Sequence, residues 1–344
     1  MMKRTVLTGI LALTAFFSLF FCLDAANVSA IVQKARAQQG SKTIKCSPGG
    51  EVEGTVSLEE GVKELRSGMT LHLVPGYYNP KEPIIFEQNN IIIESDGSNE
   101  LCYLPLIVYG KDCIIRSIHA RWIEAGDVVI VDSKTHWSGI TISNGGKKVE
   151  AVIFNTITHS LSIYADKSDV TVAECTILRA YEPKEGGEVE TTWRYDTHIR
   201  GAYNIINFGN MERKGSVTFE RCILYSGSNI FDAPSNSKMI ELILDSNIIY
   251  AKKGLAATKE KTVTDLKDLK DFFGVKLKGD NIHKQPTFVN APNVKSDWQL
   301  YTNTLTLASS SPGYGKNIGA NMGPKDMPVP RGGATAPDSK DKKK

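Results

Sequence analysis

The densest set of reactive side chains in the chain lies between Arg179 and Tyr203. Trp193, Arg194, Tyr195, Asp196, His198 and Arg200 follow one another closely there, and Lys184, Glu188 and Glu190 precede them. Tyr195 or His198 can take a proton, while Arg194 and Arg200 can neutralise a carboxylate beside an acidic carbon, the pair of roles that an elimination requires. Trp193 offers a ring face for stacking, and Lys184 and Asp196 offer polar contacts to a bound substrate. Glu188 and Glu190 carry hard oxygens of the kind calcium takes, although they show no defined ligand spacing. The same carboxylates, with Asp196, are the pool from which a hydrolytic acid pair would come. Against these readings stands a plain one: a charged excursion of this length gathers such groups anyway, pinned to the fold by its aromatics.

What would position this segment is a repeat. Around it run short β-branched stretches separated by turns rich in Gly, Asn, Asp and Ser, which predicts an all-β domain. Ala151–Ile157, Val170–Ile177, Val217–Leu224 and Leu242–Ile249 fit one template, with anchors at Asn155, Cys175, Cys222 and Asn247 that step by 20, 47 and 25 residues. A second, shorter strand falls between each pair, at Leu161–Tyr164, Tyr203–Ile206 and Ser228–Phe231. The long step is therefore one unit carrying an insertion. Units of about 20–25 residues that cannot bury their apolar faces alone predict a solenoid, a parallel β-helix, with the anchors stacked from coil to coil. The alternative all-β layout, a sandwich, seldom repeats an anchor at coil spacing. Stacking also predicts that Cys175 and Cys222 lie on adjacent rungs as two buried free thiols.

Both ends of the repeat carry a family resemblance. Val56 to Tyr78 reads as a short amphipathic helix, a Gly68 stop, a strand and the turn Pro75-Gly76-Tyr77-Tyr78. This resembles the opening segment of the pectate-lyase-like right-handed parallel β-helix proteins. Gly279–Ile282, Gln285–Val289, Asp297–Leu300, Ser311-Pro312 and Asn317–Ala320 are similar to their closing segment. In layout the chain is nearest to the chondroitinase B and alginate lyase type, without that type's catalytic motifs or those of pectate lyases and polygalacturonases. The resemblance implies a right-handed parallel β-helix with an N-terminal capping helix, to which Thr264–Gly274 adds a short C-terminal helix through Leu266, Leu269, Phe272 and Phe273. It also implies an acidic polysaccharide or other glycan as partner. A polysaccharide lyase would then use Tyr195, His198, Arg194 and Arg200 as catalytic groups and Trp193, Lys184 and Asp196 as substrate-binding groups. Glu188 and Glu190 would be its calcium ligands. A glycoside hydrolase is the lesser enzyme reading. The other class is a non-catalytic surface or envelope β-helix that binds glycan or a protein partner.

Composition bounds the rest. Of 344 residues, 41 are Lys or Arg and 38 are Asp or Glu, for a net charge of +3 with 41% apolar residues. Disordered, collagenous and polytopic membrane chains are excluded, and the near balance of charge gives no sign of nucleic-acid binding. Residues 1–30 read as a signal peptide, from Lys3 and Arg4 through an apolar run to Val28-Ser29-Ala30, with an uncleaved anchor as the alternative. That places the protein in the periplasm, at the cell surface or outside the cell, as a monomer with no membrane span after cleavage. Residues 31–54 form a leader, 55–323 the β-helix domain and 324–344 a Lys-rich tail. The five cysteines beyond residue 30 make neither a dense disulfide scaffold nor a zinc pattern. His72 and His119 fall in strands, and His136 and His159 at turns; Trp137 with His136 and Lys134 forms a minor second candidate.

Overall fold

In a computed structural model the chain is described over residues 25–78, 80, 84–97, 101–135, 139–143, 148–164, 167–179, 204–208, 215–232, 240–257, 261–289 and 305–320. It divides into two units, Met1–Gln38 and Gln39–Lys344. The first contains the helix Ala25–Ala37, whose buried Val28, Val32 and Ala35 recur at helical spacing and whose last turn carries Lys34 and Arg36.

The second unit is all-β, built of long parallel sheets in an arrangement consistent with a β-helix. An 11-stranded sheet takes one strand from each turn of the chain, including Thr70–Leu73, Ile92–Ser95, Cys113–Arg116, Val128–Val131, Lys148–Phe154, Lys167–Ala173, Gly215–Glu220, Ile240–Asp245 and Gly274–Lys278 in that order. A 15-stranded sheet supplies two further faces. His119–Ala125 shows how: its His119 and Ala120 pair with Lys134 and Thr135, while Ile123 to Ala125 pair with Ile140 to Ile142. Each coil thus contributes a strand to three faces, as Lys148–Phe154, Ile157–Thr158 and Leu161–Ile163 do. Every strand pairing described is parallel except Ala256–Ala257 with Thr262–Val263, which is incompatible with an antiparallel sandwich.

The corner between the first and second faces explains the repeat and corrects one anchor. Ser117, Asp132, Asn155, Glu174, Arg221 and Ser246 occupy it in successive coils, all left-handed with φ between 47° and 57°. The amide of each bonds the next coil's carbonyl, for example Asn155 to Ala173 at 3.1 Å and Glu174 to Glu220 at 2.9 Å. The residue after each corner points inward and is fully buried: Ile118, Ser133, Thr156, Cys175, Cys222 and Asn247. The stacked partner of Cys175 is therefore Thr156, and Asn155 is the corner residue beside it, its amide side chain bonding Asp132 at 2.6 Å. Each small donor in the slot serves the carbonyl two residues back, Ser133 to Val131 at 2.8 Å, Thr156 to Phe154 at 2.9 Å, Cys175 to Ala173 at 3.2 Å and Cys222 to Glu220 at 3.4 Å. Each of these carbonyls also accepts the preceding coil's corner amide, so the side chain adds a second donor, and the slot takes Ser, Thr or Cys in four coils and Ile118 or Asn247 in the others. Cys175 and Cys222 do sit on adjacent rungs and are free, and burial raises the Cys175 thiol well above its ordinary range, with Cys222 beside it adding to the effect.

Both expected helical elements are present. Helix Leu58–Glu64 starts with a capping box, in which Glu60 N–H donates to Ser57 Oγ at 3.3 Å and Ser57 N–H to the Glu60 carboxylate at 3.1 Å, and it buries Leu58. The helix expected over Thr264–Gly274 is a 3₁₀ helix at Leu266–Asp271. Asp265 caps it, and Leu269, Phe272 and Phe273 enter the core, where Phe273 packs edge-on against Phe208 at 5.3 Å and Phe231 at 5.8 Å.

Candidate functional site

The nine residues singled out between Lys184 and Arg200 lie outside the described residues. Where their segment leaves the fold is described. Thr176–Arg179 belongs to the second face, and Asn204–Asn207 to the third. In other coils the same connection is only two residues, between Thr158 and Leu161, Ser226 and Asn229, and Ala251 and Gly254. The insertion therefore replaces a tight turn at the corner between the second and third faces.

What covers the outside of each face decides where a ligand can lie. On the first face the outward charges bind one another from rung to rung. His72, Glu94 and Arg116 are successive partners in the sheet. Glu94 accepts from Arg116 Nε at 2.7 Å, and His72 meets Glu94 through Nδ1 at 3.4 Å and Asp96 through Nε2 at 3.0 Å. The hydrogen bond to Glu94 raises the His72 pKa, and the bond from His72 lowers that of Glu94. A carboxylate on each ring nitrogen favours the imidazolium of His72, which donates at both, over the neutral form that a general base requires. Further along, Lys148 pairs with Glu150 and Asp169, and Lys276 with Glu241.

The second face is roofed by the exit segment. Ile157, Leu178, Ile223 and Ile248 form a separate apolar cluster with Phe288, Leu305, Leu307 and Ile318. The segment runs backward along the coils: Ile282 N–H bonds Asn247 O at 2.7 Å, Gly319 N–H bonds Arg221 O at 2.7 Å, and Ala320 N–H bonds Thr176 Oγ1 at 3.1 Å. Gly319 has φ +87°, and a Cβ there would strike Ile223, so the close approach requires glycine. His119, His159 and Lys134 are buried on this side at 6%, 6% and 1% exposure. His136 and Trp137 lie outside the described residues.

The third face differs from both. Glu124, Thr141, Ser162 and Asn207 are successive Cα partners along its outer side, and Asp232 follows one rung on, since Phe231 pairs with Ile206. All five are half-buried. Two tyrosines flank the row. Tyr109 Oη donates to Glu124, and Asn207 Nδ2 donates to Tyr164 Oη at 3.1 Å. Burial and the Glu124 carboxylate together push the Tyr109 phenol well above its ordinary range, so it stays a donor. The result is a strip of hydroxyl, amide and carboxylate groups at the rung repeat of about 4.8 Å, on the face where the insertion re-enters. In the sequence Leu161–Tyr164 and Tyr203–Ile206 read as second, shorter strands, with no site assigned to them. The signal was present, however, as one polar residue between apolar neighbours in Ile140-Thr141-Ile142 and Leu161-Ser162-Ile163.

Among the described residues no group of three or more His, Cys, Asp or Glu is placed to hold a metal, and the calcium ligands expected at Glu188 and Glu190 fall outside them. No helix among the described residues is long and apolar enough to cross a membrane. No family model matches the chain, and no curated protein or solved structure is significantly similar to it.

Proposed function

We propose that this is a right-handed parallel β-helix protein of the pectate-lyase-like kind that binds a polysaccharide along its third face, outside the cytoplasm. The observation that carries the reading is the polar row Glu124, Thr141, Ser162, Asn207 and Asp232, on the face where the described chain resumes at Asn204, while charges of the first face pair with one another and the second face is roofed. Such a row matches a polyhydroxylated chain lying along the coils, because polar side chains recur once per rung along its length. The row itself carries two carboxylates and no cation, so preference for an acidic polymer rests on Arg194, Arg200 and Lys184 of the insertion. Cleavage by β-elimination would need Tyr195 or His198 as the base, with an arginine against the sugar carboxylate.

The test is a panel of alginate, chondroitin sulphate, pectate and heparin beside a neutral glucan, with binding and the absorbance of unsaturated products followed together. Thr141→Ala with Asn207→Ala is expected to weaken binding about tenfold, as the loss of two hydrogen bonds would. Binding that ignores this pair rejects the third face as the site. Binding without product, unchanged by Arg194→Ala with His198→Ala, favours the non-catalytic class.

A further inference from the structure

The 11-stranded sheet ends on an unfinished rung. One inward column runs by successive partners from Leu71 through Ile153 to Leu244, each buried at 1% or less, and its next member, Leu277, is 45% exposed. Leu277 belongs to Gly274–Lys278, the last strand of the sheet, in which only Val275 is half-buried. The other two faces end differently. Ile248–Ala251 is closed by Ile282, whose carbonyl accepts from Ile249 N–H at 2.9 Å, and Gly254–Ala257 by the antiparallel Thr262–Val263. Among the described residues, then, two faces are finished and one is left with a strand edge and an open core column.

The side chains on that edge alternate. Val275 and Leu277 stand in the columns of Leu242 and Leu244, and Lys276 and Lys278 stand outward in the rows of Ile243 and Asp245. Another copy of the same edge would set lysine against lysine, which is unfavourable. A strand with apolar residues over Val275 and Leu277 and carboxylates over Lys276 and Lys278 would fit both sides at once.

The geometry points to a peptide-docking site at Gly274–Lys278 that takes an extended, alternating acidic and apolar strand as a twelfth member of the sheet. Affinity comes from hydrogen bonds to the Leu277 amide and to the Val275 and Leu277 carbonyls, Val275 N–H being bonded to Phe273 O at 2.9 Å, and from covering Leu277; selectivity comes from the lysines. Lys278 is the main selector, because Lys276 already leans on Glu241. This site is independent of the glycan reading, since it lies at the end of the first face and uses none of the third-face row.

The probe is a fluorescent heptapeptide alternating glutamate with valine and leucine, titrated into the full chain by anisotropy, beside the same peptide with lysine for glutamate. Saturable binding of the acidic peptide is expected, with new protection of the Leu277 amide in hydrogen exchange. Lys276→Gln with Lys278→Gln, which removes the charges without setting a carboxylate beside Glu241 or Asp245, is expected to weaken it about tenfold while moving the thermal melt little. No binding of the acidic peptide at millimolar concentration, equal binding of the lysine peptide, or unchanged binding by the double variant would each overturn the site. So would sedimentation showing that two copies pair through this edge and separate on Leu277→Lys.

Discussion

The side chains that hold the coils together are those that answer a backbone demand. At the left-handed corners the carbonyl of Phe154 accepts Asp132 N–H at 3.2 Å and Thr156 Oγ1 as a second donor at 2.9 Å. Thr156→Val keeps the shape and leaves the backbone donor in place, and is expected to cost about 1 kcal/mol in chemical denaturation, whereas Thr156→Ser, which keeps both donors, should cost less than half as much. The His72–Glu94 pair gives a pH-dependent term. The His72 pKa is raised on folding, so its contribution is complete below the ordinary histidine value of about 6.5 and fades as pH climbs through the raised one. The Glu94 pKa is lowered, so its contribution is complete above the ordinary glutamate value of about 4.3 and fades as pH falls through the lowered one. The two overlap between those values. His72→Gln should therefore lower the melting temperature clearly at pH 5.5 and little at pH 8.5; equal losses at both would show that the imidazolium is unimportant.

At the scale of elements, legibility followed periodicity. The opening helix was readable because Ser57 and Glu60 make a capping box ahead of an amphipathic stretch; it ends at Glu64 with Leu65 extended, before the expected Gly68 stop, and Gly68, at φ +81°, instead forms the turn into Thr70–Leu73. Thr264–Gly274 was readable as helical from Leu266, Leu269, Phe272 and Phe273, but its tighter form came from packing against Phe208 and Phe231, which no local pattern encodes. Phe273→Ala removes the ring that meets both, at a site 1% exposed, and should cost about 3–5 kcal/mol in denaturant titration. A loss below about 1 kcal/mol would mean that this element does not close the core. Asn155 was misplaced by one residue because an Asn suits both a left-handed corner and an internal slot; only the pairing of Phe154 with Ala173 separates the two.

For the whole molecule, each coil touches its neighbours, so an insertion at a corner is a local matter. Replacing residues 180–203 with a two-residue turn copied from Gly227 and Ser228 should leave the melting temperature unchanged or raised, because loop closure becomes cheaper. The same variant should lose preference for acidic over neutral glycans. If it fails to fold, the insertion is part of the scaffold and not a ligand-binding excursion.

The amino-acid order alone determined that the chain would be all-β and repeat in units of about 20–25 residues, since alternating strands and recurrent turn residues are local consequences of side-chain shape and backbone preference. It also marked Arg179–Tyr203 as an excursion. Which faces a ligand can reach was decided only by tertiary structure. The exit segment roofs Ile157, Leu178, Ile223 and Ile248 from far along the chain, and the ion pairs of the first face join residues 22 positions apart. The polar row of the third face likewise exists only because coils of unequal length stack in register. Register is a property of pairing between distant strands, and no single stretch of sequence contains it.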